Sequence, residues 1–352
     1  MTKKMVFRLT LIFFAAALIS VNVWAQPGSA ELQELYNAAK AEGEVIWHVI
    51  GPGGPWEPVA KMFAKKYPGI KVKPFSSSLS RMPARLITEA QSGKITLDVA
   101  SCNPQYIIPL LERDLLVKLD WSKLIPGLNP DKVLMDGYFL NITDDPLFWV
   151  YNTDLVKENE APKSWDDLLD PRWKGYKISI RAMAGQLIGL YPRWSEKPNE
   201  VIAYLKKLRD QEIQGAANIG DAMRRVASGE CKVGIFRSNE FILMKEQGAP
   251  LGFCPIAPAV VTPTGNILPK GVPHPNAAKL LLSWIHSPEG AAEIKKANHR
   301  AVITGPDSSS SARVLHEAGV KFIRVANTAE ECKEYMAFEK AANAAMGWGI
   351  KN

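Results

Sequence analysis

Three arginines, a serine-rich loop and a few aromatics carry the recognisable chemistry of this chain. Residues 75–81 read FSSSLSR and run into a helical pattern. Serine hydroxyls and the free N–H groups of a helix start donate hydrogen bonds to carboxylates and phosphates. Ser78 and Arg81 are therefore candidate anion contacts, Arg81 through its forked guanidinium. Arg181 follows the strand-like residues 177–180 and precedes the small residues AMAG, and Arg237 follows the strand-like residues 233–236. Either can neutralise an acid. Asn103 lies just past a third strand-like run, 97–100, where its amide can donate to an oxyanion. His48 and Trp56 flank GPGGP (51–55), whose glycines permit close backbone approach. Phe148 and Tyr151 sit in PLFWVYN (146–152) and can stack on a planar ligand or pack a hinge. Trp149 alternates away from Phe148, so it is expected in the core, as are Trp165 and Trp173.

The same residues argue against catalysis. GPGG is not a full dinucleotide motif, because GxGxxG is absent there. Ser78, His48 and Asp98 supply the types of a hydrolytic triad, but nothing in the sequence orders them and there is no GxSxG elbow. Five histidines and four cysteines (Cys102, Cys231, Cys254 and Cys332) show no CxxC and no zinc-type spacing. No enzyme, cofactor or metal site is expected. The cysteines are compatible with a disulfide in an oxidising compartment or with free buried thiols.

The N-terminus bears Lys3, Lys4 and Arg8, then a mostly apolar run (9–23) and the small-residue end of VWA (23–25). That is the pattern of a cleavable secretory signal over residues 1–25. Losing its three positive charges takes the formal charge from +7 to +4. The modest excess suits an anionic solute or plain surface lysines. No arginine-rich run interleaved with aromatics points to nucleic acid. A mature chain from Gln26 exceeds what one core usually supports.

Strand-like and helical stretches alternate from residue 31 to 113: helix 31–42, strand 45–50, helix 57–67, strand 70–75, helix 82–91, strand 97–100 and helix 105–113. This is an α/β rhythm with parallel strands. It restarts with strands at 147–151, 177–180 and 233–236 and helices at 200–211, 219–228 and 240–247. Residues 253–261 contain Pro255 and Pro258 and read as an extended crossing segment rather than a core strand. Helices follow at 277–285, 289–297 and 330–345.

Several motifs then occur in one order: YNAAKAEGEVIWH (36–48), FAKKYPGIKV (63–72), ARLITEAQSGKITLDV (84–99), YNTDLV (151–156), PKSWDDLLDPRWKG (162–175), GDAMRRVASGECKVGI (220–235) and PKGVPHPNAAKLLLSWIHSPEG (269–290). The set resembles the extracellular solute-binding proteins of ABC transporters, and within them the branch of periplasmic ferric-iron binders. The resemblance implies a two-lobed type II binding-protein fold, each lobe a mixed sheet flanked by helices, joined by a hinge of crossing strands. Lobe one would take 26–143 plus 258–352 and lobe two 144–257. It implies a periplasmic monomer that closes on its ligand and meets a membrane permease.

In the iron-binding relatives two adjacent tyrosines hold the metal shortly after the counterpart of 233–236. Here GIFRSNEF (234–241) puts Asn239 and Glu240 at that place. An amide is a poor ligand for a hard ferric ion, so Asn239 is expected to contact the ligand as a hydrogen-bonding group. The expected ligand is a small anion, first an organic carboxylate, aromatic ones included, with Arg81 and Arg181 facing each other across the cleft. Ferric iron or an iron complex, a phosphonate or phosphate ester, a sugar and a polyamine are the alternatives.

Overall fold

The computed structural model describes residues 29–50, 56–190, 196–298, 317 and 319–348. The expected signal (1–25) and the loop GPGGP (51–55) lie outside them. Among the described residues eleven strands form one connected sheet: β1 (Glu44–Val49), β2 (Lys71–Ser76), β3 (Val99–Cys102), β4 (Val133–Leu134), β5 (Phe139–Asn152), β6 (Ile178–Arg181), β7 (Gln214–Ala216), β8 (Val233–Arg237), β9 (Leu251–Phe253), β10 (Ala259–Ile267) and β11 (Phe322–Arg324). The principal helices are α1 (Ser29–Glu42), α2 (Trp56–Lys66), α3 (Met82–Gln91), α4 (Pro198–Arg209), α5 (Ile219–Ala227), α6 (Ser238–Glu246), α7 (Pro275–Ile285), α8 (Pro288–Asn298) and α9 (Ala329–Met346).

The strand order β2-β1-β3-β10-β5-β8-β6-β7 divides the sheet into two lobes. β1, β2 and β3 are parallel on one side; β6, β7 and β8 are parallel on the other. β5 and β10 cross between them as an antiparallel pair. The first part of β5 pairs with β10 and the later part with β8 and β9. β5 therefore passes from one lobe into the other. β3 runs antiparallel to β10, and β8 antiparallel to β5. The two parallel sets consequently point at each other, and their C-terminal ends converge on the middle of the crossing strands.

Burial follows from this layout. One core lies on the β1–β3 side under α7, with Trp47, Trp56, Phe63, Leu281 and Trp284. Another gathers Phe148, Val150, Met223, Val226, Phe236 and Phe241 beneath α5 and α6. The largest runs through the molecule from Leu86 and Leu110 to Trp165, Leu205 and Phe338. It includes the apolar stripe of α9: Cys332, Tyr335, Phe338, Ala342, Ala345 and Met346. That helix lies on α4 and on the turns at 184–190, against elements of the second lobe: Asn343 accepts from Ala184 N at 2.9 Å and Arg209 donates to Ala345 O at 3.2 Å.

One local expectation is corrected. Residues 254–258 carry no strand and lead into the crossing strand β10, but from Ala259 that strand is buried and central, where the sequence pointed away from a core strand. Pro263 is tolerated because β10 has left β11 after Val261 and meets β3 only at Gly265. On that side a proline lacks no needed N–H.

Candidate functional site

The converging strand ends enclose a cleft of about 490 Å³. From the first lobe it is lined by Ile50 after β1, Leu79 after β2, and Asn103 and Tyr106 after β3. From the second come Arg181 at the end of β6, Met183, Gly185 and Gln186 just beyond it, Ile219 at the start of α5, and Arg237 at the end of β8. Leu147, Thr262 and Thr264 of the crossing strands form the floor, and Tyr335 and Glu339 of α9 close one side. Strand ends and helix starts leave polar backbone groups facing such a crevice, which is where open α/β sheets bind ligands.

Arg181 and Arg237 stand on adjacent parallel strands. β6 and β8 pair from Ile178 opposite Val233, so the two arginines end neighbouring strands on one cleft wall. The Arg181 backbone N–H donates to Gln186 Oε1 at 3.2 Å, which ties the strand end to the following turn. Arg237 lies 3.6 Å from Glu240 of α6. Burial holds the Glu339 carboxyl above its ordinary range, opposed by the Tyr335 hydroxyl, the Arg181 charge and the Gly185 backbone. Burial also raises the Tyr335 phenol well above its ordinary value.

Asn103 lines the cleft, yet its amide is engaged: Nδ2 donates to Pro263 O at 2.8 Å and lies 3.3 Å from Thr264 Oγ1. It bridges β3 to β10 where the ladder is broken by the proline. Asn239 falls in the first turn of α6, directly after Ser238.

The other sequence candidates do not line the cleft. Ser78 and Arg81 are exposed, and the Ser78 hydroxyl pairs with Ser80 Oγ at 2.9 Å. The serine loop reaches the cleft through Leu79 instead, and the expected pairing of Arg81 across from Arg181 is replaced by Arg237 beside Arg181. His48 is fully buried, with Nε2 3.0 Å from Ser77 Oγ and its ring edge-on to Phe75. Burial lowers its pKa. Trp56 is 2% exposed and packs edge-on against Trp47. Its indole donates to Ile50 O at 2.9 Å, so it positions a cleft residue. Phe148 packs edge-on against Phe241, and Tyr151 is buried with its ring over Gly252. In each case the large apolar ring is worth more inside a core than on a wet wall. Among the described residues, only Asn103, Arg181 and Arg237 of the sequence candidates line the cleft; among the lining residues that sequence reasoning missed, Tyr106, Gln186, Thr262, Thr264, Tyr335 and Glu339 carry polar groups. The signal available for Glu339 was its place at the margin of the apolar stripe Cys332, Tyr335, Phe338 and Ala342.

No group of three His, Cys, Asp or Glu side chains able to hold a metal occurs among the described residues. All four cysteines are free and buried. No described helix is long and apolar enough to cross a membrane.

Comparison with known proteins places this architecture. The chain belongs to the family of bacterial extracellular solute-binding proteins, whose model matches residues 59–314. Its members bind solutes outside the cytoplasmic membrane and are not enzymes. An uncharacterised protein of Haemophilus influenzae is 32% identical over 137 residues, a match spanning 37% of this chain and 39% of the relative. Among solved structures, iron-bound HitA from Pseudomonas aeruginosa is similar at 20% identity and TM-score 0.68, over 85% of this chain and 99% of that one. A Trichodesmium protein in complex with iron and citrate is similar at 16% identity and TM-score 0.69, over 87% and 100%. At these identities the likeness is one of fold.

Proposed function

We propose that this protein captures a small anionic solute, first of all an organic carboxylate, in the interlobe cleft and delivers it to an ABC importer. The observation that carries the reading is the placement of Arg181 and Arg237 on neighbouring strand ends in a cleft between two lobes. A guanidinium pair recognises planar oxyanions through parallel N–H···O bonds. Gln186, Thr262 and Thr264 add neutral polar groups, and Ile50, Leu79, Leu147 and Ile219 give apolar surface for the carbon skeleton. In this reading residues 26–143 plus 258–352 make lobe one and 144–257 lobe two, with α9 of the first lobe's chain lying across the second lobe. Closure about β5 and β10 encloses the ligand, and a permease reads the closed monomer in the periplasm.

A thermal-shift screen tests this. Carboxylic acids should stabilise the wild type by mass action. The R181A/R237A double variant should lose that shift, each protein being read against its own unliganded Tm. Stabilisation by a sugar or a polyamine that survives in the double variant would overturn the reading.

A second reading, a ferric ion or an iron complex as cargo, is favoured by the comparisons more than by the site. Two similar structures hold iron, one of them with citrate. An iron–carboxylate complex is itself anionic and would meet the same arginines. Metal analysis of the purified protein separates the two readings.

A further inference from the structure

The last long helix contributes a carboxylate to a cleft otherwise suited to anions. α9 is fixed at both ends. Thr328 and Glu331 form a reciprocal cap at its start, and Gly347 closes it in the left-handed conformation at φ +72°. Between the caps, Tyr335 and Glu339 stand one turn apart and reach the cleft together. Gly185, in the turn after β6, makes room for both. A Cβ there would fall 2.6 Å from Tyr335 Oη and 2.7 Å from Glu339 Oε1. Gly185 thus leaves open the space that the ends of both side chains occupy.

We propose that Glu339, which lines the same cleft as Arg181 without a direct ion pair to it, offsets the Arg181 charge and is a specificity-determining residue: an arriving anion meets Arg181 against the Glu339 carboxylate, so the cleft discriminates against doubly charged anions. This rests on the anion reading above. The groups that face Glu339 are Arg181 at the end of β6, Tyr106 after β3, Tyr335 on its own helix, and Gly185 and Gln186 in the turn. Arg237 lies further along the same wall and is held near its own carboxylate, Glu240. With Glu339 and Glu240 both ionised, the two arginine charges are already offset. A singly charged ligand then adds one uncompensated negative charge, whereas a dianion adds two and meets the stronger repulsion from Glu339.

The proton resolves that conflict. Burial already raises the Glu339 carboxyl above its ordinary value. When the pH falls through that raised value, Glu339 becomes neutral and the Arg181 charge acts on the ligand unopposed. Affinity for a dianion therefore rises as pH falls. The bound dianion in turn favours the protonated form, so its capture takes up a proton.

Sulfate is the probe, because it stays doubly charged between pH 8 and pH 5. Calorimetry at constant ionic strength should show wild-type affinity rising about tenfold over that interval, the equivalent of a one-unit shift in a coupled group. The E339Q variant should bind sulfate more tightly at pH 8 and show no slope. A flat wild-type profile, or a slope retained in E339Q, overturns the proposal. The coupling itself is read without any ligand, by NMR titration of the Glu339 carboxyl. It should titrate higher in R181Q than in the wild type, and an unchanged titration overturns the proposal even if E339Q folds poorly. Absence of sulfate binding in every variant, with the Glu339 titration still moved by R181Q, would sink the anion reading and leave the coupling standing.

Discussion

Asp144 is the residue whose removal should weaken the hinge most. It lies on β5 opposite Pro263 of β10, at the point where the crossing strands pass between lobes. Its side chain is 1% exposed, 3.3 Å from the Arg324 guanidinium of β11, which is 18% exposed. Asn141 Nδ2 donates to its other oxygen at 3.0 Å. Arg324 also donates to Asp131 O at 3.0 Å. Lys132 is near enough that the Asp144 charge opposes the lowering of its pKa by burial. D144A therefore takes the anion from two partly buried cations and the acceptor from a buried amide. Removing one partner of a buried pair costs about 3–5 kcal/mol. R324A should cost less, because Lys132 still faces the carboxylate. The double variant should cost less than the sum, with a coupling of about 1–3 kcal/mol. Urea unfolding of the mature chain measures all three midpoints. A D144A loss below about 1 kcal/mol, against that range, or R324A proving the more damaging, would refute the reasoning.

Further outcomes follow from buried groups elsewhere. At Gly265, on the irregular step of β10, a Cβ would press on the Phe139 ring and the Leu140 carbonyl. G265A should therefore lower stability by about 1–3 kcal/mol, measured by the same unfolding assay. Burial, with Lys132 adding to it, pushes the His286 pKa down to about 3. The unfolded chain binds that proton near 6.5, so the contribution of neutral His286 is present above pH 6.5 and is lost as pH falls toward 3. The slope is up to about 1.4 kcal/mol per pH unit, and H286L should flatten this limb in acid-unfolding curves. The native protein should resist thiol reagents and expose four reactive thiols after denaturation, since every cysteine is free and buried and burial raises its thiol pKa. Labelling counted by mass spectrometry checks this.

The fold was legible in the sequence where local signals agree. The helical spacing of 82–91 coincides with α3, and the strand-like runs 177–180 and 233–236 are strands that extend to Arg181 and Arg237 at the cleft. Local reading failed where tertiary pairing decides. Two prolines made 253–261 look unfit for a core, but neither they nor Pro263 occupy a position that needs an N–H on both sides. Side-chain type likewise could not separate Trp56, Phe148 and Tyr151, which pack, from Tyr106 and Tyr335, which line the cleft. Arg81 had the expected place before a helix, yet its side chain is exposed. Glu339 lies more than 150 residues from Arg181 in sequence, and only the docking of α9 on the second lobe brings them to one wall.

Native mass spectrometry of the mature protein, purified without dialysis, followed by denaturation and identification of the released species, tests the central claim most directly. The account predicts one small organic anion per chain, released only on denaturation and absent from the R181A/R237A variant. Stoichiometric iron with no organic anion, or a neutral or cationic solute held equally by the variant, would contradict it.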